Sequence, residues 1–65
     1  MSITVNGRKQ LELFQNVQQL LKHYGLENRI VVVEVNQEIV MKENYEMTSL
    51  SKGDVVEIVH FVGGG

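Results

Sequence analysis

The sequence predicts an α+β fold in which a mixed sheet of four to five strands packs on one helix. Segments with the residue alternation of β-strands lie towards both ends of the chain, and one segment between them has the apolar spacing of an amphipathic helix. No linker or low-complexity segment interrupts the 65 residues. A chain of this length forms one small domain, near the lower end of what folds unaided.

A β-hairpin is predicted at the start of the chain. Apolar and polar residues alternate over residues 1–5, which is the period of a half-buried strand. The dipeptide Asn6-Gly7 follows, and it favours a two-residue hairpin turn because both residues tolerate positive φ. Leu11 and Leu13 then alternate with polar residues, so we expect a return strand that places these two leucines in the core.

One amphipathic helix is predicted after the hairpin. Its apolar side chains recur at i, i+3, i+4 and i+7, at Val17, Leu20, Leu21 and Tyr24. Asn16 suits the N-cap, and Gln19 stands three residues later in an arrangement similar to a capping box. Gly25 suits the left-handed position that ends many helices.

The second half of the chain returns to strands. We expect strands at residues 30–35 and 38–40, joined by a turn at residues 36–37, and a final strand at residues 55–62. In the polar segment between them, Tyr45, Met47 and Leu50 are predicted to anchor the chain to the core. The sheet residues expected to cover the helix are Met1, Ile3, Val5, Leu11, Leu13, Val31, Val33, Val35, Val56 and Ile58.

Composition excludes several functional classes. The net charge is -2 with both signs interspersed, which argues against nucleic-acid binding. No apolar stretch approaches the length of a membrane span, and the N-terminus lacks the features of a signal peptide, so we expect a cytoplasmic protein. We also expect the protein to be a monomer. His23 and His60 do not make a metal site, and no nucleophile–base pair indicates an enzyme.

The last three residues carry the strongest functional signal. We expect residues 1–62 to form the domain and Gly63, Gly64 and Gly65 to form a flexible tail, since glycine has no Cβ and its backbone is unusually free. A tail this thin can enter a narrow slot in another protein. We therefore expect the carboxylate of Gly65 to be presented to a partner's active site.

Several motifs resemble one known family. Ile3-Thr4-Val5-Asn6-Gly7, the segments 34–40 and 53–60, and the terminal glycines resemble the ThiS family, the sulfur carrier proteins of thiamin biosynthesis, which have the ubiquitin-like β-grasp fold. The likeness covers nearly the whole chain. Three positions depart from the family pattern: Gln37 stands where glycine is frequent, Met41 where proline is frequent, and Phe61 where a small residue is common.

The resemblance implies a chemical role for the tail. An E1-like adenylating enzyme would activate the carboxylate of Gly65 with ATP, and sulfur from a sulfur donor protein would replace AMP to give a thiocarboxylate. Thiazole synthase would then receive this sulfur. Gly63 and Gly64 would be required for presentation, and the carrier itself would bind no cofactor or metal.

A partner-binding surface is predicted beside the tail. If Val56 and Ile58 point inward, Val59 and Phe61 point outward by strand alternation, and Val32 is expected on the same face of a neighbouring strand. Apolar side chains clustered beside a reactive tail are typical of a docking surface.

Two other functions remain open at this point. One is a β-grasp interaction module that binds partners without covalent chemistry, for which the glycines would be dispensable. The other is a sulfur carrier of the same fold that serves molybdopterin synthesis.

Overall fold

The computed structural model of the chain describes residues 2–61. One α-helix, α1, and one short 3-10 helix accompany five strands in a single mixed sheet with the order β2-β1-β5-β3-β4. The strands are β1 (Ile3–Val5), β2 (Arg8–Gln10), β3 (Val31–Val35), β4 (Glu38–Val40) and β5 (Val55–His60); α1 is Val17–His23 and the 3-10 helix is Lys42–Asn44. The predicted α+β class is confirmed, and the sheet has five strands, within the predicted four to five.

Two antiparallel hairpins form the outer parts of the sheet. Asn6 and Gly7 join β1 to β2 with φ of 51° and 80°, and Asn36 and Gln37 join β3 to β4 with φ of 52° and 71°. Two successive residues with positive φ match the right-handed twist of the strands that they connect. Both turns lie where the sequence predicts them.

The central strand, β5, joins the two hairpins. It runs parallel to β1, with Thr4 opposite Val55, and antiparallel to β3 over five residue pairs from Val31↔His60 to Val35↔Val56. Neither hairpin pairs directly with the other. The strand that leads towards the C-terminal glycines is therefore the central strand of the sheet.

The caps of α1 agree with the sequence pattern. Oδ1 of Asn16 accepts a hydrogen bond from the Gln19 amide at 2.8 Å, while the Gln19 side chain accepts from the amide of Gln15 at 2.9 Å, one residue before the N-cap. At the other end Gly25 has a φ of 72°, and the amide of Leu26 donates to the carbonyl of Leu21 at 2.8 Å. This pair of features is the Schellman arrangement that closes a helix.

The core lies between α1 and one face of the sheet. It consists of Ile3, Val5, Val17, Leu20, Leu21, Val33, Tyr45, Val56 and Ile58. Val31, Val35 and Leu50 are partly buried against it, and burial raises the pKa of the Tyr45 phenol. Three of the four predicted helix-stripe residues, the inward faces of β1, β3 and β5, and two of the three predicted anchors therefore lie where expected. The fourth stripe residue, Tyr24, is the C-cap of α1 and is 43% exposed.

Three further predicted core positions are wrong. Leu11 and Leu13 are 73% and 61% exposed, because the two-residue turn starts the return strand at Arg8 and this edge strand ends at Gln10, before either leucine. Met47 is 75% exposed, since the anchoring of its segment is provided by Tyr45 and Leu50 instead. Met1 and Val62 lie outside the described residues.

No helix within residues 2–61 is long and apolar enough to cross a membrane.

Candidate functional site

The end of β5 brings the chain to the position from which the predicted tail departs. The strand ends at His60, and the described chain continues to Phe61. Gly63, Gly64 and Gly65 lie outside the described residues, so the division into a domain and a tail stays a prediction.

The outer face of the sheet, opposite α1, carries the three residues predicted to bind a partner. Along β5 the inward Val56 and Ile58 are buried, whereas Val59 and Phe61 are 51% and 56% exposed. Val32 of β3 is half-buried and lies directly opposite Val59. Strand pairing thus makes Val32 and Val59 neighbours, and Phe61 follows two residues further along the same face.

A fourth apolar residue belongs to this cluster and was missed from the sequence. Ile30 precedes β3, and its carbonyl accepts from the amide of Phe61 at 3.4 Å, which continues the register of the two strands. Its side chain is 78% exposed. We call Ile30, Val32, Val59 and Phe61 the outer-face patch. The two-residue spacing of Ile30 and Val32 could have placed Ile30 on the outer face. The sequence alone does not show that Ile30 lies opposite Phe61, because that pairing depends on the register of β3 and β5.

An acidic pair lies on the same face beside the outer-face patch. Glu34 of β3 is directly opposite Glu57 of β5, with the 63% exposed Ile39 of β4 on the other side of Glu34. Within residues 2–61 neither carboxylate takes part in an ion pair. Like charges directly opposite each other destabilise a sheet, so this arrangement costs free energy in the isolated chain.

The histidines do not form a reactive centre. His23 contacts Glu12 at 3.5 Å and packs against the rings of Phe14 and Tyr24, while His60 is exposed and pairs with Val31 in the sheet. No group of three His, Cys, Asp or Glu residues that could hold a metal ion occurs in the described part of the chain. The structure instead brings together the outer-face patch and the acidic pair on one face of the sheet.

Comparison with known proteins gives a consistent result. The sequence model of the ThiS family matches residues 3–65. The chain is 59% identical over 49 residues to the sulfur carrier protein ThiS of Bacillus subtilis (strain 168), which covers 75% of this chain and 74% of that protein.

A second relative is much longer. A protein named thiazole synthase from Paramagnetospirillum magneticum (strain ATCC 700264 / AMB-1) is 39% identical over 66 residues. That match covers 100% of this chain and 20% of the longer protein.

Solved structures agree with the sequence comparisons. The crystal structure of the thiamine biosynthesis protein ThiS from Geobacter metallireducens superposes with a TM-score of 0.79 at 35% identity and covers 100% of both chains. The solution structure of a thiamine biosynthesis protein from the same organism gives a TM-score of 0.81, also at 35% identity, over 100% of this chain and 88% of that one.

Proposed function

This chain belongs to the ThiS family, and from this premise we propose that it carries sulfur as a thiocarboxylate on Gly65. It has the ubiquitin-like β-grasp fold of that family and is a sulfur carrier of thiamin biosynthesis, not an enzyme. The observation that carries the proposal is the family match over residues 3–65, which includes the terminal glycines as well as the folded domain.

The proposed chemistry has two steps at the carboxyl group of Gly65. A carboxylate oxygen of Gly65 attacks the α-phosphorus of ATP and pyrophosphate leaves, which gives an acyl adenylate. Hydrosulfide released by the sulfur donor then attacks the acyl carbon, AMP leaves with the electron pair of the broken C–O bond, and loss of the S–H proton gives the thiocarboxylate. Activation is needed because a carboxylate has no adequate leaving group of its own. The ATP is consumed by the adenylating partner, and the carrier binds no cofactor.

Glycine at the end of the chain fits this chemistry. The acyl carbon must lie close to the nucleotide and then to the sulfur, and a Cβ on either of the last two residues would occupy space at that narrow point. Gly63 and Gly64 extend the reach of Gly65 beyond Phe61, at up to about 3.3 Å per residue. In this proposal the domain provides recognition and the tail provides the reacting group.

The proposed partners are an E1-like adenylating enzyme, a sulfur donor protein and thiazole synthase. The match to one fifth of a protein named thiazole synthase supports the last of these, because a carrier-like region and thiazole synthase then belong to one chain in that organism. We propose that the present chain meets its partners as a cytoplasmic monomer.

We propose that the outer-face patch is where these partners dock. Its four side chains form an apolar surface next to the end of β5, so a partner that covers Val59 and Phe61 receives the tail at its active site. The acidic pair supports a partner surface with basic residues beside an apolar centre. The repulsion between Glu34 and Glu57 would be relieved when a cation approaches both carboxylates.

Removal of the last two glycines tests the carrier proposal. The variant that lacks Gly64 and Gly65 is expected to keep the melting temperature of the parent chain, because these residues offer no side chains to bury. It is expected to show no ATP-dependent change in intact mass with a ThiS-type adenylating enzyme and a sulfur source. The parent chain should gain the mass of one oxygen-to-sulfur exchange.

A one-residue extension after Gly65 is the matched control. It keeps every glycine but converts the reactive carboxylate into a peptide bond, so it should also resist modification. A truncated chain that still supported sulfur transfer would disprove the carrier role and favour a non-covalent interaction module. Transfer to molybdopterin synthesis but not to thiazole synthase would instead identify the other carrier branch.

Charge placed in the outer-face patch tests the docking surface. Val59→Asp and Phe61→Asp should each weaken binding to the adenylating enzyme at least tenfold in calorimetry, since either change buries a carboxylate against an apolar surface. Met47→Asp is the control, because Met47 is 75% exposed and lies outside the sheet. If both patch variants bind as tightly as this control, the docking surface lies elsewhere.

A further inference from the structure

Both hairpin turns hold the central strand through an asparagine side chain. Asn36 has a φ of 52°, and its Oδ1 accepts from the amide of Val55 at 2.9 Å, at the start of β5. Asn6 has a φ of 51°, and its Oδ1 accepts from the amide of Ile58 at 2.7 Å, nearer the end of β5. The same residue type in the same backbone conformation therefore contacts β5 at two different places.

The hydrogen bond that Asn6 accepts takes the place of a backbone pairing that β1 no longer provides. The backbone pairing of β1 with β5 ends where the amide of Asn6 donates to the carbonyl of Val56 at 2.9 Å, after which the chain turns into β2. The amide of Ile58 points to this same side, because alternate residues of β5 face β1 and β3. The amide oxygen of Asn6 thus extends the parallel ladder by one hydrogen bond beyond the end of β1.

Beyond this point β5 is held on the β3 side alone, where Val59 pairs with Val32 and His60 pairs with Val31. On the β3 side, the last hydrogen bond in the described chain joins the amide of Phe61 to the carbonyl of Ile30 at 3.4 Å, which is long for an N–H···O bond. On the β1 side, the short Asn6–Ile58 bond is part-buried, which protects it from competition with water.

We propose that Asn6 is a positioning residue that fixes the direction in which β5 leaves the sheet towards the C-terminal glycines. The inference rests on the proposed function and deepens it. Without the Oδ1 acceptor, the end of β5 can leave the sheet in a wider range of directions. A carrier docked on the adenylating enzyme therefore aligns its carboxylate with ATP less often. Small displacements of reacting groups cost up to about 100-fold in rate.

The two asparagines provide a matched pair of variants. Asn6→Gly and Asn36→Gly both keep a residue that adopts positive φ without strain, and both remove one acceptor from an amide of β5. They differ in which end of β5 is released, and Asn36→Gly also removes the hydrogen bond that Nδ2 of Asn36 donates to Oδ1 of Asp54 at 3.0 Å. A merely structural role predicts the same loss of activity from both, whereas the positioning role predicts a loss from Asn6→Gly alone.

The experiment measures carboxylate activation as ATP–pyrophosphate exchange with a ThiS-type adenylating enzyme, at a temperature where circular dichroism shows every variant folded. We expect Asn6→Gly to lower kcat about tenfold or more with little change in KM, because the outer-face patch is intact. Asn36→Gly should keep the kcat of the parent chain. Asn6→Asp should recover most of the loss, since its carboxylate oxygen still accepts from Ile58.

Amide hydrogen exchange gives a second readout. Ile58 and His60 should exchange faster in Asn6→Gly, while Val55 should exchange faster only in Asn36→Gly. If Asn6→Gly does not fold, Asn6→Ser is measured in its place, because its shorter side chain leaves the hydroxyl further from the amide of Ile58.

The outcomes distinguish the positioning role of Asn6 from the carrier function of the chain. Equal kcat for the two glycine variants, or a loss that appears only in KM, overturns the role of Asn6 while the carrier function stands. A parent chain that is not activated at all overturns the carrier function and the role of Asn6 with it.

Discussion

Backbone angles at the two hairpin turns determine which side chains each turn accepts. Gly7 has a φ of 80° without a side chain, while the corresponding residue of the other turn, Gln37, has a φ of 71° with a full side chain. Left-handed backbone costs about 1–2 kcal/mol for a residue with a Cβ. Glycine is frequent at this position in the family that the sequence resembles, and the positive φ of Gln37 explains this preference.

Gln37→Gly should therefore stabilise the chain. We expect a gain of up to about 1 kcal/mol in the free energy of unfolding, because the relief of backbone strain exceeds the extra conformational entropy of glycine in the unfolded state. Urea unfolding monitored by circular dichroism measures the change. Gln37→Ala, which removes the polar group but keeps the Cβ, should show no such gain; equal midpoints for both variants would contradict the role of φ.

At the scale of the elements, strand register determines which charged side chains lie opposite each other. Glu34 and Glu57 lie 23 residues apart in sequence, and only the β3–β5 register puts them directly opposite each other. The pair adjoins the outer-face patch, so the same two carboxylates reduce stability and suit a basic partner.

Glu57→Lys should separate these two effects. It replaces a repulsive cross-strand pair by an attractive one and is expected to raise stability by about 0.2–1 kcal/mol, with a smaller gain in 1 M salt. Binding to the adenylating enzyme should weaken at the same time. Glu38→Lys, which makes the same change in net charge opposite Val35, should leave stability near that of the parent chain. A loss of stability in Glu57→Lys would show that the pair is not repulsive.

Local signals in the sequence predict the turns, the helix caps and the alternation of β1, β3 and β5, because each depends on neighbours within about four residues. Leu11 and Leu13 show the limit of such signals. Their alternation is that of a strand, but a two-residue turn starts pairing at Arg8 and no partner strand extends beside them. The bond between Asn6 and Ile58 joins residues 52 apart, so no local pattern contains it.

For the whole molecule, one small core carries the stability. Its nine buried residues in the described part of the chain come from the helix, three strands and Tyr45. A core of this size supplies only about 3–5 kcal/mol. Truncation of any central side chain is therefore comparable with the entire stability.

Leu20→Ala should unfold a large fraction of the chain. Leu20 is 0% exposed in the middle of α1, and loss of a buried leucine side chain costs about 2–5 kcal/mol. Leu11→Ala, at a leucine that is 73% exposed, should leave the free energy of unfolding within about 0.5 kcal/mol of that of the parent chain. Equal midpoints for the two variants would disprove the assignment of the core.

The central place of β5 also governs the order in which the molecule folds. The two hairpins and α1 can form from contacts close in sequence, but β1 and β3 contact each other only through β5. Closing that long loop costs chain entropy before any pairing is gained, so β5 docking is the slow, cooperative step. A nascent chain that has not yet exposed residues 55–60 lacks the strand that joins the two hairpins, and we expect it to acquire its fold only when the strand leading to the glycines arrives.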